Sequence, residues 1–68
     1  MNAHNIIVNH QRAHRGDYIL ALQSESGEWE MLDIFPADSD DEANEYAAAN
    51  YQHLDWYVLD WQGGNING

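Results

Sequence analysis

Ser39-Asp40-Asp41-Glu42 is the feature that most constrains this chain, because it fixes a helix start in the middle of an otherwise strand-like sequence. Ser39 with Glu42 three residues on matches a capping box, in which each side chain satisfies a first-turn backbone N–H. Asp40, Asp41 and Glu42 also complement the positive end of the helix dipole. Pro36, just upstream, has no N–H to give to a ladder and ends whatever strand precedes it. At about 100° per residue, Ala43, Tyr46, Ala47, Asn50 and Leu54 share one face, and Asp41, Glu45, Ala48 and Gln52 the opposite one. The first face carries Ala43 and Ala47, so the helix can lie close to a sheet, with Tyr46 and Leu54 supplying most of the apolar contact.

The flanking segments read as strands. Ile6-Ile7-Val8, between asparagines, predicts a short strand over about residues 5–10. Gln11 to Asp17 reads as a turn, and Tyr18 to Leu22 as a second strand. Ser24-Glu25-Ser26-Gly27 is a hairpin loop in which Gly27 can take the positive φ such turns require. Glu28 to Phe35 is a third strand with imperfect alternation. Trp29 and Met31 fall on one face, while Leu32 and Ile34 fall on the other and are expected under the helix. A bulge would reconcile the two sets. Asp55 to Trp61 alternates Trp56, Val58 and Asp60 against Tyr57, Leu59 and Trp61. The expectation is an α+β fold: a small antiparallel sheet, β-β-β-α-β along the chain, with one helix packed on one face. Residues 1–61 form the domain, and the Gly/Asn-rich residues 62–68 a flexible tail.

At 68 residues, such a domain buries only about 60% of its unfolded surface, so its stability is thin. No cysteine is present to staple it or to bind metal through thiolate. Three Trp, four Tyr and one Phe are the substitute; forming a homodimer is the other common remedy. No run approaches a membrane span, and the N-terminus lacks the basic-then-apolar order of a signal peptide, so a cytoplasmic protein without membrane contact is expected.

Charge is the strongest global signal. Twelve Asp and Glu face two Lys and Arg, for a formal charge of −10. Both cations, Arg12 and Arg15, precede Gly16, and no Lys or Arg follows. Ordinary surfaces mix both signs. Direct binding of nucleic acid or anionic membrane is therefore disfavoured. Capping explains Asp40, Asp41 and Glu42 one at a time. It does not explain the acids of the hairpin (Glu25, Glu28, Glu30) and of the last strand (Asp55, Asp60), nor the outward continuation from Asp38 and the helix start to Glu45. Self-repulsion destabilises a compact state, so an acidic surface retained on so small a fold points to a basic partner.

Other chemistry fits less well. Asp38, Asp40 and Glu42 imitate the start of a calcium loop, but the sixth and twelfth positions are Ala43 and Ala49 rather than Gly and Glu. His10 and His14 have i,i+4 spacing, yet lie where a turn is expected, and His4 and His53 stand apart. Ser24, Ser26 and Ser39 sit in loop or cap contexts, and the paired carboxylates have no evident cleft. No catalytic residue, metal site or cofactor is expected. Trp29, Trp56, Tyr57 and Trp61 form a candidate aromatic interface, because one helix leaves the second face of a four-stranded sheet open.

On the segments Glu25 to Glu30, Asp38 to Glu45 and Asp55 to Asp60, the chain resembles the small acidic phage and mobile-element inhibitors of bacterial defence, the anti-CRISPR and anti-restriction DNA mimics. The likeness is one of size, single-signed charge, missing cysteine and compact α+β layout. It implies an inhibitor in the host bacterial cytoplasm, without cofactor, that occupies the basic nucleic-acid groove of a CRISPR effector complex or nuclease. Carboxylates two apart on a strand lie about 6.5–7 Å apart, and those on one helix face about 5–6 Å, a loose match to phosphate spacing. The alternative is a non-enzymatic interaction module, monomer or homodimer, that uses the aromatic face.

Overall fold

A computed structural model describes residues 6–52 and 55–66. It is a mixed α+β fold. Strands β1 (Ile7–Val8), β2 (Gln11–Arg12), β3 (Asp17–Gln23) and β4 (Trp29–Pro36) precede helix α1 (Asp40–Asn50), and β5 (Tyr57–Asp60) follows it. The main sheet is antiparallel, in the order β4-β3-β5, and β1 and β2 form a separate two-stranded ribbon.

The expected first strand is in fact a hairpin. Asn9 and His10 both take positive φ, 52° and 68°, the pairing that a two-residue turn needs to match the twist of its strands. Ile7 then pairs with Arg12 and Val8 with Gln11, and the Ala13 N–H donates to the Ile6 carbonyl at 3.0 Å to close the base. This ribbon corrects the expectation of an open sheet face. Ile6, Val8 and Ala13 bury against Ile19, Ala21, Ile34 and Leu59, with Met31 and Trp61 packed around them. The helix covers the other face, where Leu20, Phe35, Ala43, Ala47 and Val58 are buried and Tyr18, Leu32, Tyr46, Tyr51 and Trp56 pack alongside. The sheet is thus a central layer between a helix and a hairpin, and the main sheet has three strands rather than four.

The expected bulge lies in β4. Leu20 pairs with Asp33 and Ala21 with Met31, so Leu32 is the extra residue. It lets Met31 and Ile34, three apart, both reach the hairpin side, while Leu32 and Phe35 reach the helix side. Leu32 is therefore placed as expected. Ile34 is not, since Phe35 takes the position under the helix.

The helix begins where the sequence predicts, with the Ser39 half of the expected capping box in place. Ser39 is the N-cap, and its Oγ accepts from the Glu42 N–H at 3.2 Å. Ala43 and Ala47 are fully buried, so the helix backbone approaches the sheet and Tyr46 stacks on Phe35 with centroids 4.0 Å apart. Asn50, placed on the inner face by periodicity, is exposed; its Nδ2 donates to the Tyr46 carbonyl. Leu54 and His53 lie outside the described residues, as does His4.

Residues 62–66, read above as tail, fold back on β5. Asp60 Oδ1 accepts from the N–H groups of Gln62 and Gly64 at 2.9 and 2.8 Å. Asn65 bridges Leu59, and the Ile66 N–H donates to the Val58 carbonyl at 3.2 Å. Gly63 sits at φ 87°, and a Cβ there would meet Ile6 Cδ1 at 3.3 Å. No helix among the described residues is long and apolar enough to cross a membrane.

Candidate functional site

The acids fall into two groups at opposite ends of the β3–β4 ribbon. Tyr18 pairs with Phe35 at one end and Gln23 with Trp29 at the other, roughly 17 Å apart at strand rise. At the first end, the helix start presents Asp38, Asp40, Asp41 and Glu42, with Glu45 one turn on; all five are exposed. Tyr18 lies beneath them, and its hydroxyl donates to Asp40 Oδ1 at 2.7 Å. That bond, with some burial and the charge of Asp40, raises the Tyr18 pKa above its ordinary value. An open depression of about 440 Å³ lies alongside, lined by Arg15, Gly16, Asp17, Pro36, Ala37, Asp38 and Glu42.

At the other end, Glu25, Glu28 and Glu30 are exposed on and beside the hairpin loop. The loop is held by the Ser24 N–H donating to the Glu28 carbonyl at 2.8 Å and by Gly27 at φ 89°. Asp55, ahead of β5, is also exposed. Asp60 differs from the other nine predicted acids. It is half-buried, and its carboxylate accepts the two backbone N–H groups of the turn that follows β5.

Nine carboxylates are thus exposed: Glu25, Glu28, Glu30, Asp38, Asp40, Asp41, Glu42, Glu45 and Asp55. Among the described residues, no arginine comes within ion-pair distance of any carboxylate. The one approach within that distance is His14 Nδ1 to Asp17 Oδ2, at 3.9 Å, an ion pair only when the imidazole is protonated. The histidine spacing noted in the sequence places no helix face, since His10 sits at the hairpin turn. The His14 ring donates from Nδ1 to the Arg12 carbonyl at 2.9 Å. No three metal-binding side chains converge among the described residues.

The four candidate aromatics divide evenly. Trp56 is half-buried on the helix side, and its indole Nε1–H donates to the Tyr51 carbonyl at 2.7 Å. Trp61 packs against the hairpin-side core. Trp29 and Tyr57 remain 40% and 39% exposed, and their rings meet edge to face with centroids 5.4 Å apart.

One polar cluster escaped the sequence reading. Asp33, half-buried on β4, accepts from the Tyr46 hydroxyl at 2.9 Å and the Tyr51 hydroxyl at 3.2 Å, both on Oδ2. The Asp33 hydrogen bond, with burial, pushes the Tyr46 pKa up to about 12, and burial raises that of Tyr51. The available signal was an acid set between Leu32 and Ile34, inside an apolar strand. A carboxylate held by two poorly acidic phenols fastens the helix to the sheet; it offers no proton donor suited to neutral pH.

No family profile, curated protein or solved structure matches the chain.

Proposed function

We propose that this chain is a non-enzymatic inhibitor of the DNA-mimic kind, whose acidic surface occupies the basic nucleic-acid groove of a bacterial defence complex. The observation that carries the reading is the set of nine exposed carboxylates, none of them within ion-pair distance of an arginine. Such a surface costs a small fold self-repulsion, and a partner supplying Lys and Arg removes that cost on binding.

Magnitudes favour mimicry of one strand rather than a whole duplex. The molecule spans 31 Å in its longest dimension and carries a formal charge of −10. At one phosphate per about 3.4 Å of axis, a single nucleic-acid strand of that length carries about nine charges; both strands together carry about twice as many. The helix-start group, with carboxylates on successive helical positions, supplies the densest part. Its charge-assisted contacts would fix register in the groove.

Charge reversal at Asp41 and Glu45 tests this assignment. Both are exposed on the outer helix face and make no hydrogen bond that holds the fold together. Asp41→Lys with Glu45→Lys is expected to abolish inhibition of the partner while leaving the circular dichroism spectrum unchanged. Full inhibition by a folded double variant would remove the helix from the site.

A second reading is an interaction module that works through its aromatic face. The exposure of Trp29 and Tyr57 favours it. Concentration-dependent dimerisation in sedimentation would support it over the first.

A further inference from the structure

We propose that the Trp29–Tyr57 pair is a receptor for a cationic side chain, an arginine or lysine carried by an extended segment of a protein partner. It is a second contact point, at the end of the molecule away from the helix start. It rests on the reading above only in taking the partner to be basic.

The register explains how the pair forms. Ala21 on the central strand pairs with Met31 on one side and Tyr57 on the other, and Gln23 pairs with Trp29. Met31 and Leu59, two residues from Trp29 and Tyr57, pack in the hairpin-side core, so both rings project from that face of the sheet. Ala21 presents only a methyl group between the outer strands, which leaves the two rings free to meet across β3. The β1–β2 hairpin buries Ile19, Ile34 and Leu59 on the same face but leaves these two rings partly exposed. With Ile7, they are the exposed large hydrophobic residues among those described.

Charge complementarity selects the occupant. Glu25 and Glu28 lie in the loop that leads into Trp29 and Asp55 is two residues from Tyr57, all exposed, while Glu30 points to the opposite face of the sheet. Arg15 lies beyond the opposite end of β3. An edge-to-face pair leaves ring faces available, and the negative face of an indole or phenol attracts a cation directly. The aromatic quadrupoles and the surrounding carboxylates therefore favour the same ligand. A second copy of this chain would instead bring a charge of −10 against −10, which disfavours self-pairing here.

The test uses the intact protein, isotope-labelled at nitrogen, titrated with an oligoarginine peptide and with a length-matched oligoglutamine control. Trp56 is an internal reference, because its indole N–H is already bonded to Tyr51. The Trp29 indole resonance is expected to move with oligoarginine, and that of Trp56 to stay in place. Trp29→Leu keeps apolar bulk without the quadrupole and should weaken the peptide about two- to fivefold. Asp41→Lys with Glu45→Lys should leave the Trp29 shift intact. Three outcomes would overturn the inference: a silent Trp29 resonance, Trp29→Leu binding as tightly as wild type, or a Trp29 shift produced by protein concentration alone. Any of these, with inhibition still lost on charge reversal of the helix, would leave the proposed function standing. A Trp29 shift with inhibition insensitive to that reversal would do the opposite.

Discussion

At the scale of single residues, Asp33 and its two tyrosines carry a pH dependence whose sign follows from their bonding. Tyr46 titrates near 10 in an unfolded chain and is held up to about 12 in the fold, chiefly by its hydrogen bond to Asp33. The folded state therefore retains a proton that the unfolded state loses. Its stabilisation is complete below pH 10 and disappears as pH rises through the interval toward 12. Tyr51 and Tyr18 are shifted in the same direction and add to the effect. Thermal melts should fall steeply in that interval, and Asp33→Asn should bring tyrosinate absorbance to lower pH. A melting temperature flat across the interval would contradict the assignment. His10 offers a second check. It occupies a left-handed conformation, φ 68°, that costs a residue with a Cβ about 1 kcal/mol. His10→Gly is expected to raise stability by about 0.5–1 kcal/mol in urea denaturation, partly offset by the added freedom of the unfolded chain.

At the scale of elements, the sequence and the structure agree where local chemistry is decisive. Ser39 caps the helix, Gly27 turns the hairpin, and the broken alternation of β4 marks a real bulge at Leu32. They diverge where a long-range partner decides. Ile6-Ile7-Val8 looks like one strand because Asn9-His10 contains no glycine to announce a turn. Only its packing on Ile19, Ile34 and Leu59 shows that it is half of a covering hairpin. Alternation places Trp29, Tyr57 and Trp61 on faces of their strands but does not say what covers them, so their exposure was illegible until that hairpin's position was known. It shields the side where Trp61 packs and leaves Trp29 and Tyr57 accessible. The alanine face of the helix gives a further prediction. Ala47 is fully buried, and Ala47→Leu should lift the helix off the sheet at a cost of about 1–3 kcal/mol, read as a lower urea midpoint.

At the scale of the whole molecule, charge and stability oppose one another. Two small cores, one on each face of a three-stranded sheet, must hold together a chain with a formal charge of −10. The sequence made the acidic surface legible, because residue counts suffice to establish its sign. Its division into a helix-start group and a hairpin group was not legible, nor was the withdrawal of Asp60 into a turn, because both depend on which strand ends lie together. The arrangement is two-ended, with a dense carboxylate group at one end and the exposed Trp29–Tyr57 pair at the other, and under the proposed function both ends would meet one groove.

Under the proposed function, this surface takes the place of nucleic acid on a basic protein. The most direct measurement is competition between the chain and single-stranded DNA for a basic nucleic-acid-binding effector, carried out as salt is raised from about 50 to about 200 mM. Mutually exclusive binding is expected, with an affinity at least about tenfold weaker at the higher salt. Simultaneous binding of chain and DNA, or an affinity indifferent to salt, would contradict it.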